Sequence, residues 1–469
     1  MTALECILLL LAITITLVVT GRLLYLRTQR VEVVVLLVVI YFWTFAGAWF
    51  FIADCLSNFN GFHYGLSYYY LMEKMFPFRL DVDYLLSLVY YSMFGLGLLG
   101  VLLLFRNKLK RGGYVTRAGI SHHAIIFLAV IGLIISISSA MDAIEIGLSG
   151  EMSFYLAKQQ LAGYPAKFLE LGNELMTMAL FIGVAVLTGS RMPESDFHVT
   201  SEYGIRLAYG VLGVIVLLYL TLLGDRSTLF NGFLWLGMYL YHVGGRRMVP
   251  RITFILGVCV LLLLPGSALR SVVFNAQAPP VADDSAFSIE SIEHVPRKPP
   301  TPLAKAGSLI LSNEMFAAHF SMYGCTSMDI EPNKGVAFRY FEQRLKGNAD
   351  APSTYDYYAR SVGADPGQGY SIHHATSWYV NMGILGPLVG GCMLGLFYML
   401  CTIGATLVPG RWSISIPLMY LPISMVSYLP ALIRSGPEAY KAMILEGCAI
   451  PMLVLGFAVF ISALITPKK

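Results

Sequence analysis

Tyr84-LLSLVYYSMFGLGLLGVLLL-Phe105 contains no charged residue; Asp83 precedes it and Arg106, Lys108, Lys110 and Arg111 follow it. About 20 apolar residues at 1.5 Å each cross the ~30 Å hydrocarbon layer of a bilayer. The stretch therefore reads as a membrane-spanning helix closed by a basic anchor. Working outward, ten further stretches qualify, and the expected spans are 3–22, 32–53, 84–105, 122–141, 171–189, 205–223, 227–244, 252–269, 377–405, 412–430 and 441–464. The first could be mistaken for a signal peptide. It has Glu5 where a basic region should be and no small-residue cleavage site, so it stays a helix.

The composition agrees. Of 469 residues, 57% are apolar and 13% charged, with a mean hydropathy of +0.67. Soluble domains carry about 25% charged residues. Too little polar surface remains to cover a soluble body, which excludes disordered, nucleic-acid-binding and secreted disulfide-rich classes together. The net charge of +4 is too small to argue for a polyanionic partner. The seven cysteines lack metal-like spacing and form no disulfide framework; only Cys55 and Cys325 are expected near water.

Orientation follows from Lys and Arg in the short loops. One side holds 16 of them, among them Arg22, Arg30, Arg111, Arg191, Arg246, Arg411 and Lys469; the other holds 7. The N-terminus is therefore expected outside and the C-terminus in the cytoplasm, consistent with eleven spans. The chain divides into helices 1–8 over 1–269, a large outer loop over 270–376, and helices 9–11 over 377–469. Two other outer segments exceed a turn: 54–83, rich in aromatics, and 142–170, mixed enough for an interfacial helix. The start of the long loop is proline-rich (Pro279, Pro280, Pro296, Pro299, Pro300, Pro302), and the part from Ala306 is aromatic enough to pack. No internal repeat is visible, which counts against transporter folds of duplicated halves.

No phosphate-binding glycine loop or dinucleotide fingerprint occurs, and the cytoplasmic loops are too short for a nucleotide-binding domain. Chemistry is expected on the outer face, with the long loop as its roof. That loop ends Gly363-ADPGQGYSI-His373-His374 and runs directly into Ala375-TS-Trp378-Tyr379-Val380-Asn381-Met382-Gly383-IL-Gly386. Glycines allow close backbone approach to a ligand. A histidine at the lip of a membrane helix can take a proton near neutral pH; alone, it could equally be a loop residue bonded to backbone.

Aromatic, Asn, x, Gly, x, x, Gly after a long loop ending in histidine resembles the bacterial O-antigen polymerase and ligase superfamily, the Wzy-type polymerases above all. Leu222-LG-Asp225-Arg226-ST, in an outer turn, adds a second local resemblance: the family often has an arginine there to meet a lipid pyrophosphate. Arg226 also opens an Arg-x10-Gly spacing ending at Gly237. The resemblance implies an all-α glycosyltransferase of the lipid-donor, multi-span type in the bacterial inner membrane. It would polymerise oligosaccharide repeat units carried on undecaprenyl pyrophosphate, with a chain-length regulator as a candidate partner.

Such a donor is already activated, so neither a nucleotide cofactor nor a metal is needed. The enzyme must deprotonate a sugar hydroxyl and stabilise departing pyrophosphate, a task that suits the planar, always charged guanidinium. The expected site comprises His374 and His373 acting on the acceptor hydroxyl, and Arg226, Arg360, Arg434 and Arg344 on pyrophosphate. Asp225, Tyr379 and Asn381 would support it. Asp225 reads as an ion-pair partner of Arg226 or as a base, and Arg434 as a pyrophosphate ligand or a partner of Glu438. Glu174 and Glu446, inside spans, are functional candidates or snorkelling residues. Two rivals stay open: an O-antigen ligase moving glycan to a lipid A core, and, in another class, a lipid-glycan flippase.

Overall fold

The computed structural model describes residues 2–57, 78–110, 118–149, 163–190, 203–255, 313–332, 335–346, 351–363, 371–407 and 416–465, with isolated positions between them. The chain is an all-α, polytopic membrane protein. Among the described residues, eight helices are long and apolar enough to cross a membrane: Thr2–Thr28, Val31–Ala53, Val82–Leu104, His122–Ser149, Tyr164–Gly189, Tyr203–Leu223, His374–Ala405 and Pro437–Ile465. We label the elements α1 (Thr2–Thr28), α2 (Val31–Tyr41), α3 (Gly47–Ser57), α4 (Val82–Leu104), α5 (His122–Ser149), α6 (Tyr164–Gly189), α7 (Tyr203–Leu223) and α8 (Arg226–Gly244). There follow α9 (Asn313–Ser327), α10 (Val336–Leu345), α11 (Thr354–Ser361), α12 (His374–Met382), α13 (Gly386–Leu407), α14 (Ile416–Met419), α15 (Leu421–Ser427), α16 (Leu429–Ile433) and α17 (Ile450–Ile465).

The other three expected spans fare differently. Residues 227–244 form α8, but Arg226, Asn231 and His242 leave it outside the eight. Residues 252–269 lie mostly outside the described residues. The stretch expected at 412–430 is broken into α14, α15 and α16. Each piece opens with an apolar residue and a proline: Ile416-Pro417, Leu421-Pro422 and Leu429-Pro430. Proline lacks an N–H and its ring collides with the preceding turn, so it fits only a first turn and each one starts a new piece. The segment expected as an interfacial helix over 142–170 is largely an extension of its neighbours, because α5 runs on to Ser149 and α6 begins at Tyr164.

Two compact units emerge. The first comprises Met1–Arg111, Pro296–Ile403 and Tyr428–Met443; the second comprises Gly112–Val295, Gly404–Ser427 and Ile444–Lys469. In the first, α4 and α13 touch backbone to backbone. A Cβ at Gly97 would collide with the Leu388 carbonyl, and one at Gly391 with the Phe94 carbonyl. Close approach through small residues is how helices associate where lipid offers no hydrophobic contrast. Helix α9, from the part of the long loop expected to pack, is a core element of this unit: His319, Phe320, Ser321 and Met322 are buried in it. Cys325, expected near water, is buried too. A π-helical turn, Phe42–Ala46, separates α2 from α3. In the second unit α5 and α6 meet at Gly132 and Gly172, where an added Cβ would press on the facing backbone. Two short strands, β1 (Ala118–Gly119) and β2 (Phe197–His198), pair in parallel.

Between α12 and α13, Gly383 has φ +70° and ψ −149°, a region open essentially to glycine alone. Three residues on, a Cβ at Gly386 would collide with the Trp378 carbonyl. The two glycines of the pattern thus have conformational reasons. Gly383→Ala is expected to cost about 1–3 kcal/mol, read as a lower melting temperature of the detergent-solubilised protein; an unchanged melting temperature would show that the turn relaxes.

Candidate functional site

In the first unit three histidines are fully buried: His319, His373 and His374. Their partners fix their tautomers. His373 caps α12, its Nδ1 accepting the Ala375 N–H at 3.0 Å. Its Nε2 must then carry the proton, which it donates to Thr44 Oγ1 at 3.0 Å. His374 is the reverse: Nδ1–H donates to the Ser435 carbonyl at 2.9 Å, and Nε2 accepts from the Trp378 indole N–H at 3.0 Å. His319 donates from Nδ1 to the Thr44 carbonyl at 2.8 Å and accepts at Nε2 from the Tyr84 hydroxyl at 3.0 Å. All three rings are neutral. Burial drives the His373 imidazole well below its ordinary value, with His374 and His319 adding to the effect. Burial takes His319 down to about 4 despite its bond to Thr44.

Both nitrogens of His373 and His374 are therefore occupied. To take a proton from a sugar hydroxyl, His373 would have to release its helix cap, and His374 would have to release Trp378. The Trp378 ring is itself held, since it packs on Gly390 so closely that a Cβ there would collide with it. In this arrangement all four ring nitrogens of the pair are engaged in holding the start of α12. The π-helical turn explains the first link: it puts the Thr44 carbonyl within reach of His319 and the Thr44 hydroxyl within reach of His373. The glycine-rich stretch before them, 364–370, lies outside the described residues.

Asn381 is the centre of a second network. Its Oδ1 accepts the Ala337 N–H at 2.7 Å, near the start of α10, and its Nδ2 donates to Thr354 Oγ1 and the Ser377 carbonyl. Thr354, first residue of α11, donates from both N–H and hydroxyl to Glu438 Oε1, at 2.8 and 2.7 Å. A complete capping box between Ser353 and Asp356 sets the start of α11. Tyr379 packs on Tyr90 of α4, ring centroids 5.1 Å apart. The elements carrying three expected arginines are thereby tied together. Arg344, exposed and 5.3 Å from the Tyr340 ring, ends α10. Arg360, exposed, ends α11, and half-buried Arg434 caps α16 next to Ser435.

The second unit holds Asp225 and Arg226. Asp225 pairs with Lys158 at 3.2 Å; the Arg226 side chain, its other expected partner, lies outside the described residues. Asp225 also accepts from Asn173 at 2.8 Å and from the Thr228 and Ser227 hydroxyls. Asn173 in turn accepts from Ser136, which meets the Tyr219 hydroxyl at 2.8 Å. Among the described residues four donors make Asp225 a joint of α6, α8 and the segment before α6. Glu174, buried, is 3.4 Å from Asn231. Half-buried Glu446 sits in the π-helical stretch Met443–Ala449.

Burial alone would push the Asp225 carboxyl up. Lys158 and the Thr228 and Asn173 donors outweigh it and hold the group below its ordinary 3.8. A depressed folded value means stability present above the unfolded value and lost as pH falls through the folded one. Asp225→Asn is therefore expected to lower the melting temperature at pH 7, with the gap to wild type closing below about pH 4. A gap independent of pH would sink the assignment.

The sequence alone did not single out Thr44, His319, Glu438 or Lys158 as site residues. In the sequence Glu438 reads only as a partner of Arg434, and His319 carries no signal beyond being a lone histidine in an apolar helix. Among the described residues no three His, Cys, Asp or Glu side chains gather to ligate a metal ion. No family model, curated protein or solved structure matches the chain.

Proposed function

We propose that the protein is a lipid-linked oligosaccharide polymerase of the bacterial inner membrane. It joins repeat units carried on undecaprenyl pyrophosphate at the periplasmic face. The observation that carries this reading is the network of Asn381, Thr354 and Glu438, which anchors the helices bearing Arg344 and Arg360 to the Tyr379-x-Asn381-x-Gly383-x-x-Gly386 segment. Guanidinium groups on short, pinned helices suit a leaving group that gains charge as its bond to sugar breaks. In this reading Arg360, Arg434 and Arg344 of the first unit receive pyrophosphate, while Asn381 and Tyr379 hold the platform; Arg226 of the second unit, after the turn that Asp225 steadies, remains a pyrophosphate ligand by the family resemblance alone. His373 and His374 position the lip. The donor's anomeric carbon exchanges its bond to pyrophosphate for one to the incoming unit's hydroxyl oxygen, whose proton passes to the departing pyrophosphate, with inversion if one step suffices.

The test is reconstitution. Full-length protein in liposomes with an undecaprenyl-pyrophosphate-linked repeat unit is expected to yield longer lipid-linked chains. Transfer only to an added lipid A core would make it a ligase, and translocation without elongation a flippase.

A further inference from the structure

The second unit contains a cavity of about 490 Å³ lined by Val184, Leu187, Thr188, Arg206, Tyr209 and Arg251. It lies where α6 ends and α7 begins, at the end of the helices to which β2 also belongs. Arg206 is one turn into α7, and Tyr209 is two turns in, about 10 Å of helix from its first residue. Both arginines are exposed. The floor is fixed. The Tyr209 hydroxyl is bonded to His122 Nδ1 at 2.9 Å, and its ring packs on α6 so closely that a Cβ at Gly183 would collide with it.

The cavity opens along α7. Gly210 lines it as well. A Cβ added at Gly210, or at Gly213 one turn further, would meet no atom within 4 Å. Beyond them Val214, Ile215 and Leu218 are exposed apolar residues on the same helix. Two cations near the start of a helix long and apolar enough to cross a membrane, followed by open space and exposed apolar residues, have the order of a phospholipid: phosphate first, acyl chain after. A basic recess between membrane helices is a recognised way to hold an anionic headgroup. Guanidinium forks suit a phosphate better than a point charge does.

We propose that this cavity seats the phosphate of an anionic phospholipid between Arg206 and Arg251, with one acyl chain lying over Gly210 and Gly213 along α7. The site is independent of the glycan-polymerase reading and would serve either rival activity equally. It fixes α6 and α7 to one leaflet.

The experiment uses the full chain, delipidated in detergent and titrated with phosphatidylglycerol or phosphatidylcholine, read by native mass spectrometry and melting temperature. Phosphatidylglycerol is expected to bind at low stoichiometry and raise the melting temperature, and phosphatidylcholine is not. The double variant Arg206→Gln/Arg251→Gln should weaken apparent phosphatidylglycerol affinity about 30-fold. Gly210→Leu fills the groove without meeting any neighbour, so it should remove lipid binding while leaving the lipid-free melting temperature unchanged. Equal binding of the two lipids, or wild-type affinity in both variants, overturns the proposal. Stabilisation by inorganic phosphate alone, to the same extent as by phosphatidylglycerol, also overturns it in favour of a free-anion site.

Discussion

Asn381→Leu is expected to lower the stability of the first unit by about 3 kcal/mol, because it removes three hydrogen bonds and leaves the Ala337 N–H buried without an acceptor. In a chain of 469 residues that is a fall of roughly 3 °C in melting temperature. Leucine nearly matches asparagine in volume, so packing changes little and the loss reports the polar network. Glu438→Gln should be mild, since an amide oxygen can still accept both Thr354 donors, whereas Glu438→Ala should approach the asparagine variant. Equal melting temperatures for Asn381→Leu and wild type in the same detergent would mean that α10 and α11 are held by other contacts. If the network also carries the site, glycan elongation in liposomes should fall in Asn381→Leu even below its melting temperature, as the helices bearing Arg344 and Arg360 come loose.

The contrast between what could be read beforehand and what could not has a physical origin. Apolar length alone identified the eight long helices, because no water-soluble arrangement hides a segment such as Tyr84–Phe105. The Asn381, Gly383 and Gly386 pattern was also legible, and each member has a local reason: a side chain that bonds α10 and α11, a backbone angle only glycine adopts, and a contact with no room for a Cβ. The break of 412–430 was legible in principle. Three prolines each follow an apolar residue, but averaging hydropathy over a window hides single residues that stop a helix. By contrast, the His319 bond to Thr44 joins residues 275 apart, and that of His373 to Thr44 joins residues 329 apart. No local spacing encodes such pairs. Nor does a histidine pair at a helix lip reveal whether its nitrogens are open, and here a helix cap, a carbonyl, an indole and a hydroxyl take all four. Asp225 makes the same point on a smaller scale: Lys158, which reaches it, lies 67 residues away in sequence.

The sharpest separation of chemistry from scaffolding comes from comparing Arg360 with His374. Arg360 is exposed at the end of α11, so Arg360→Ala should leave the melting temperature unchanged. If it grips the leaving pyrophosphate, elongation should fall about 10²–10³-fold, and Arg360→Lys should recover only part because an ammonium cannot reproduce the fork. Arg226→Ala is expected to behave alike, with long chains lost at normal protein level. His374→Ala differs: it deprives Trp378 and Ser435 of their partners inside the unit, so protein level and melting temperature should fall together with activity. The decisive variant is His374→Asn. Its amide can donate to the Ser435 carbonyl as Nδ1–H does, yet asparagine cannot take a proton near neutral pH. A positioning histidine predicts substantial recovery of both stability and elongation in His374→Asn. A proton-accepting one predicts a stable protein still down by about 10²–10⁴ in rate, and that outcome would return His374 to the chemistry and require the Trp378 bond to open during turnover.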